Sequence, residues 1–291
     1  MNEDRLTIGN TNTHFLNGEW VCSEKLTVSA FDLVVMRGYG VFDFVKSYDR
    51  NFIWLDDYLE RFILSASTFQ LPMPYTKKQL HTLLNELLTK NPGGDVYVRM
   101  LLTGGISEDT LSPGRNHSFM MLVNYVHPID PGIYTNGVRF ITHPGPRYSP
   151  RVKSTNYTNS MYARHKYQKE LFTDILLTDD SADPIIYEGG VNNVFFVKNN
   201  IIYTPPDEYV LGGIIRTKTI EQINKLGLEL KYEFIKLSEL GSVDEVFATN
   251  SSLKVYPVSK INDTIISNSI GPVTSRVAES VNELIENYSK S

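Results

Sequence analysis

Val126-His-Pro-Ile-Asp-Pro-Gly-Ile-Tyr134 divides this sequence in two. Two prolines and a glycine leave no run that can hold a regular hydrogen-bond ladder, so the stretch reads as a linker. Working outward from it, the reading is two α+β domains: a smaller one over residues 1–125, a linker over 126–135, and a larger one over 136–291. A ligand is expected in the crevice between such domains.

On the N-terminal side, strands interleave with two helices. Asn17-Gly18 stands between the apolar residues of His14-Phe-Leu-Asn-Gly-Glu-Trp-Val21, a strong hairpin signal. Tyr58, Leu59, Phe62, Ile63, Ala66 and Phe69 form one apolar stripe and predict a helix over 56–69. Leu80, Leu83, Leu84, Leu87 and Leu88 predict a second over 76–90, capped by Thr76 and stopped at Asn91-Pro-Gly-Gly94. Strands are expected at 95–103 and 118–125. On the C-terminal side strands are expected at 138–142, 174–178, 194–198, 201–204, 228–234, 245–249 and 254–258. Helices are expected at about 157–172, from Gly213 to a stop at Gly227, and at 272–288 with Pro272 in the first turn.

The chain has 291 residues, about two domains' worth at roughly 150 residues each. With 41% hydrophobic and 21% charged residues it has the composition of a folded protein. A formal charge of −5 and no basic block argue against nucleic-acid binding. The single cysteine, Cys22, excludes an internal disulfide framework and a cysteine-based zinc knuckle. Met1-Asn-Glu-Asp-Arg5 is polar with no apolar signal core behind it, and no stretch has the length and apolarity of a membrane span. A soluble cytoplasmic protein is expected.

Histidines 14, 81, 117, 127, 143 and 165 show no i, i+4 pair on a helix, so no metal site is expected. Leu211-Gly-Gly-Ile-Ile-Arg216 opens a helix with a glycine pair, whose free N–H groups suit a phosphate, although such pairs are often only turns. Lys153 lies in Pro150-Arg-Val-Lys-Ser-Thr-Asn-Tyr157, just before a helix. An arbitrary lysine is ordinarily a solvated charge; one desolvated beside other cations becomes a Schiff-base nucleophile, and Arg147, Arg151 and Arg164 are nearby in sequence.

Six stretches in order resemble the class IV (fold type IV) pyridoxal-phosphate aminotransferases, a family of D-amino acid aminotransferases, branched-chain aminotransferases and aminodeoxychorismate lyases. They are Arg37-Gly-Tyr-Gly-Val-Phe-Asp-Phe44, Leu59-Glu-Arg-Phe-Ile-Leu-Ser-Ala66, Lys153-Ser-Thr-Asn-Tyr157, Tyr187-Glu-Gly-Gly-Val-Asn-Asn-Val-Phe-Phe196, Leu211-Gly-Gly-Ile-Ile-Arg216, and Thr249-Asn-Ser-Ser252 leading to Tyr256-Pro-Val258. The resemblance implies a two-domain fold type IV protein, D-amino acid aminotransferase-like, with pyridoxal 5′-phosphate at the domain interface and a homodimeric assembly. It implies that Lys153 is the Schiff-base lysine and Glu188 the carboxylate facing the pyridine nitrogen. Arg61 would bind the cofactor phosphate, with a surface ion pair as its ordinary alternative. Ile214 and Ile215 N–H groups and Ser251 would complete the phosphate contacts. Tyr157 would approach the phenolic oxygen, or simply be a core aromatic at a helix start, and Asn193 would shape the loop after Glu188.

Substrate choice is thinner. The usual D-amino acid enzymes carry an Arg and a His where this chain has Gly104-Gly-Ile-Ser107, so that carboxylate trap is missing. Arg37, before Gly-Tyr-Gly, and Arg99, within Val96-Tyr-Val-Arg-Met-Leu-Leu102, are the candidate substitutes. Arg99 interrupts an apolar strand and is expected to be buried against an anion, either a protein carboxylate or the substrate's. Arg-Gly-Tyr-Gly with a strand arginine resembles an unusual subgroup of D-amino acid transaminases, and the strand arginine is shared with branched-chain enzymes. The function expected is transfer of an amino group from an amino acid, D favoured, to a 2-oxo acid such as 2-oxoglutarate. A branched-chain L-amino acid aminotransferase and an aminodeoxychorismate lyase are the alternatives.

Overall fold

Asn17 and Gly18 both take positive φ, 49° and 99°, turning strand β1 (Thr13–Leu16) back into β2 (Glu19–Cys22), with Leu16 opposite Glu19. The computed structural model describes residues 12–267 and 269–289, so the reading of Met1–Arg5 lies outside it. Its residues fall into two compact units. One comprises the described residues up to Pro128 together with Val152–Asn156; the other comprises Ile129–Arg151 and the described residues from Tyr157 onward.

The first unit continues with helix α1 (Leu33–Arg37), strands β3 (Gly40–Tyr48) and β4 (Asn51–Phe52), helices α2 (Leu55–Thr68) and α3 (Lys77–Lys90), and strands β5 (Val96–Thr103) and β6 (Phe119–Tyr125). The six strands form one antiparallel sheet in the order β2-β1-β6-β5-β3-β4. Period-two alternation buries Val41, Asp43, Val45 and Ser47 of β3 and Val96, Val98, Met100 and Leu102 of β5. Helix α2 packs on β3 and buries Tyr58, Leu59, Phe62 and Ala66 of the expected stripe. Helix α3 buries Leu80, Leu84, Leu87 and Leu88, and Thr76 and Gln79 close a capping box at its start. The five-residue α1 was invisible to periodicity. The Asp32 carboxylate accepts from Val34 N–H at its start, and Gly38, at φ 65°, ends it.

The second unit holds α4 (Gly132–Asn136), β7 (Val138–Pro144), α5 (Thr158–Lys166), β8 (Asp174–Thr178), β9 (Ile186–Gly189), β10 (Asn193–Lys198), β11 (Ile201–Thr204), α6 (Ile214–Lys225), β12 (Leu230–Tyr232), β13 (Glu245–Asn250), β14 (Lys254–Ile261), β15 (Thr264–Ile265) and α7 (Pro272–Ser289). Its mixed sheet runs β12-β11-β10-β13-β14-β7-β8-β9, with β15 beside β14. Val138, Phe140, Leu176, Val194, Phe196, Val246, Ala248, Tyr256 and Val258 form one buried cluster.

Two sequence expectations change here. Helix α4 starts inside the supposed structureless linker, because Pro131 sits at its N-cap, where a missing N–H costs nothing. Helix α5 stops at Lys166, not Phe172: it buries only Ser160 and Ala163, and Arg164 in its last turn donates to Thr173 O and Asp174.

Helix α7 begins against a buried carboxylate. Glu245, 7% exposed, accepts from the N–H groups of Val273 (3.0 Å) and Thr274 (2.7 Å), satisfying donors that a helix start leaves orphaned. Glu245→Ala should therefore lower unfolding free energy by about 2–3 kcal/mol, read as a reduced denaturant midpoint at unchanged slope. A change below about 0.5 kcal/mol would show the cap to be energetically idle.

Candidate active site

In the first unit candidate residues gather on β3 and the short segment laid beside it. Phe42 N–H donates to Lys153 O (2.9 Å), Thr155 N–H to Gly40 O (2.9 Å), and Lys153 N–H to Ser65 Oγ on α2 (3.1 Å). These bonds fix the backbone of Lys153 between strand and helix, and its Nζ lies 4.8 Å from the centroid of the Phe42 ring. The Arg99 guanidinium lies 5.5 Å from the same ring and 5.9 Å from that of Phe44. Lys153 and Arg99 are thus brought to one aromatic side chain. The expected burial of Arg99 is corrected: it is exposed, opposite Phe44 on the face of β5 away from the core. The alternation of Tyr97, Arg99 and Leu101 with buried Val98 and Met100 places it there, so no desolvation penalty forces a partner on it.

Arg61 is neither a surface ion pair nor solvent-facing. Its side chain is 9% exposed, and Nε and Nη2 donate to Oδ2 (2.9 Å) and Oδ1 (2.6 Å) of Asp43, itself fully buried. The Tyr58 ring lies 5.4 Å from the guanidinium. This two-pronged pair aims the arginine and neutralises part of its charge inside the unit. Arg37, the last residue of α1, is exposed and donates to Met36 O and Thr110 Oγ1 (3.0 Å each), which ties it to the segment after β5.

That segment has no space for a further arginine and histidine. A Cβ on Gly104 would lie 2.6 Å from Tyr39 O and one on Gly105 2.6 Å from Arg115 O; Gly105 also has φ 78°. Backbone packs on backbone here, which only glycine allows.

In the second unit Glu188, on β9 and 2% exposed, has both oxygens held. Oε1 accepts from Arg147 Nε (3.0 Å); Oε2 accepts from Asn193 Nδ2 (3.2 Å) and Leu211 N–H (3.1 Å). Arg147 reaches further, donating from Nη1 to Tyr157 Oη and from Nη2 to Gly190 O (3.3 Å each). Burial opposes its charge, but Glu188 and Tyr157 outweigh that and hold the guanidinium above its usual pKa. Asp174, wholly buried at the base of the loop after Glu188, accepts from Val191 N–H, Asn192 and Arg164; burial raises its pKa against the pull of Arg164. Arg147 and Arg164 therefore have carboxylate partners of their own.

The start of α6 has no side-chain cap. Ile214 and Ile215 are its first two residues, and N-cap Gly213 offers no side chain to their N–H groups. A Cβ at Gly213 would overlap Asn193 Oδ1, so the glycine lets the helix start close against the residue that also holds Glu188. Ser251 lies in the turn after β13, which Asn250 Oδ1 shapes by accepting from Ser252 and Leu253 N–H. Asn193 is thus a bracing residue, bridging Glu188 and Leu211 O. Sequence reasoning missed Asp43 altogether and saw Arg147 only as a neighbouring charge. The one available signal was a carboxylate at a core-facing position of an alternating strand, which demands a cationic partner.

Among the described residues, no helix is long and apolar enough to cross a membrane. A family model described as Amino-transferase class IV matches residues 40–261. An aminodeoxychorismate lyase of Bacillus subtilis is 31% identical over 268 residues, covering 90% of each chain. A D-alanine aminotransferase of Staphylococcus haemolyticus is 30% identical over 291 aligned positions, covering 94% of this chain and 98% of its own. The solved branched-chain amino acid aminotransferase of T.th. with pyridoxamine 5′-phosphate superposes with a TM-score of 0.87 at 25% identity, over 96% of this chain and 95% of that one.

Proposed function

Because this chain belongs to the class IV aminotransferases, a family of pyridoxal-phosphate-dependent enzymes, we propose that it moves an amino group between a D-amino acid and a 2-oxo acid such as 2-oxoglutarate. The observation that carries the substrate side is the meeting of Lys153 Nζ and the Arg99 guanidinium at the Phe42 ring. A primary amine and a guanidinium at one ring suit a molecule with a reacting carbon and a carboxylate a few bonds away.

Pyridoxal phosphate supplies an aldehyde for the amino group and a ring that spreads the charge left on the substrate's α-carbon. The residues present fit it: an uncapped helix start, a half-neutralised buried arginine, a fixed carboxylate and a lysine with an ordered backbone. Ile214 and Ile215 N–H groups, Ser251 and Arg61 are the residues that would hold the phosphate. Glu188 would keep a proton on the ring nitrogen, and the Tyr157 hydroxyl would serve the phenolic oxygen. With the cofactor bound, Lys153 Nζ would be the amine that holds its aldehyde carbon; once displaced by the substrate's own amino group, the freed amine would move the proton from the substrate's α-carbon one position along. Asn193 and Asp43 hold Glu188 and Arg61 in place.

Arg99 and Arg37 bind substrate carboxylates in place of the missing trap, one taking the α-carboxylate and the other favouring a second carboxylate. Loss of a charge-assisted contact costs about 1.5–3 kcal/mol, so Arg99→Leu should raise KM for 2-oxoglutarate tenfold or more and that for pyruvate less. Equal losses on both acceptors, for this variant and the Arg37 one, would defeat the dicarboxylate preference. No loss on either would remove the arginines from the site.

An L-branched-chain reading is kept because the superposed solved structure is a branched-chain enzyme. A panel of D- and L-amino acids with 2-oxoglutarate decides: turnover of D-glutamate or D-alanine above all L-amino acids supports the D reading, and the reverse order overturns it. Product formation without any added 2-oxo acid would instead indicate the lyase. We further propose a homodimer, tested by the mass of the protein in solution.

A further inference from the structure

Arg147 has three polar contacts, and two of them are to residues assigned above to two polar positions of the cofactor ring, the pyridine nitrogen and the phenolic oxygen. Nε donates to Glu188 Oε1 and Nη1 to Tyr157 Oη, while Nη2 is fixed on Gly190 O. Its side chain is 8% exposed, and its guanidinium also lies 5.1 Å from the Tyr157 ring centroid. A guanidinium has donors only. Tyr157 Oη must therefore accept from Nη1, which turns the phenolic hydrogen away from Arg147 and toward another acceptor.

We propose that Arg147 is a positioning residue that couples two positions of the cofactor ring, its nitrogen and its phenolic oxygen: it holds the Glu188 carboxylate in place and compels the Tyr157 hydroxyl to donate to the phenolic oxygen. This rests on the assignment of Tyr157 and Glu188 to those positions. The geometry needs a planar fork, because the two acceptors belong to different elements, Glu188 to β9 and Tyr157 to the start of α5. A lysine keeps the charge beside Glu188 but, as a point donor on a flexible stem, does not span both. Donation from Tyr157 stabilises the ionised phenolic oxygen and so weakens the hold on the proton shared between that oxygen and the lysine-linked nitrogen. Without Arg147 the proton is held to higher pH.

The test is the absorption spectrum of the cofactor-loaded protein from pH 5 to 10, for wild type, Tyr157→Phe, Arg147→Lys, Arg147→Met and each arginine variant combined with Tyr157→Phe. The expected result is that Arg147→Lys keeps the cofactor but moves the loss of the visible band upward by about one pH unit, the size of shift a neighbouring hydrogen bond produces. In the Tyr157→Phe background the same change should add nothing, since the effect runs through the hydroxyl. Arg147→Met should behave likewise while also weakening cofactor binding; if it does not fold, Arg147→Lys alone decides. A spectrum unmoved by Arg147→Lys, or moved equally in both backgrounds, overturns the coupling. A spectrum unmoved by Tyr157→Phe itself overturns the underlying assignment of Tyr157 instead.

Discussion

Lys153→Ala should lose turnover by on the order of a thousandfold or more, since a positioned proton-transfer group alone is worth about 10²–10⁴-fold. The loss should fall on kcat, because the role proposed for Lys153 is at the reacting carbon and not at the substrate's remote groups. Its Nζ lies near the Phe42 ring, and its backbone bonds to Phe42 and Ser65 survive truncation of the side chain. The variant should therefore fold, with an unchanged far-ultraviolet circular dichroism spectrum. A rate within tenfold of wild type in the amino-acid panel would remove Lys153 from the chemistry.

Glu188→Gln should slow transamination about a hundredfold at saturating cofactor, equivalent to about 3 kcal/mol of preorganised electrostatic stabilisation. Glutamine is isosteric, so the side-chain volume is preserved, but a neutral amide cannot keep a proton on the ring nitrogen. The surroundings sharpen the expectation. Arg147, Asn193 and Leu211 all donate to Glu188, and the amide presents its own N–H₂ to one of those donors. Some stability is lost as well, as when one member of a buried ion pair is removed. Calorimetry separates the two effects: the unfolding temperature falls, while cofactor saturation restores the cofactor content but not the rate. An unaffected rate would exclude Glu188 from the mechanism.

Much of the architecture was legible because it is encoded locally. Asn17-Gly18 specifies a turn by its φ preferences, Thr76 caps α3 through its own hydroxyl, and Gly227 ends α6 at φ 67°. Those signals need only a few consecutive residues. The short helices α1 and α4 escaped because five residues carry no period. Arg99 was misread as a buried charge, since the strand was taken as apolar on both faces when only Val96, Val98, Met100 and Leu102 line its core side.

The candidate site was legible mainly through motif order. The residues that aim it are separated too widely in sequence for any local pattern to pair them. Asp43 and Arg61 stand on a strand and a helix, Arg147 and Glu188 on a loop and a strand, and Lys153 joins the first unit through backbone bonds to β3. Composition and spacing report residue types along one segment; these pairings are properties of the folded sheet edges. A carboxylate such as Asp43, at a strand position whose neighbours two residues away are Val41 and Val45, was the nearest to a readable clue.

Borohydride reduction of the cofactor-loaded protein, followed by peptide mapping by mass spectrometry, examines the proposed chemistry at its covalent centre. The expected result is a single pyridoxyl adduct on the peptide carrying Lys153, with loss of the visible absorbance and of activity together. An adduct recovered on a different lysine, or no uptake of pyridoxal phosphate at all, would contradict it.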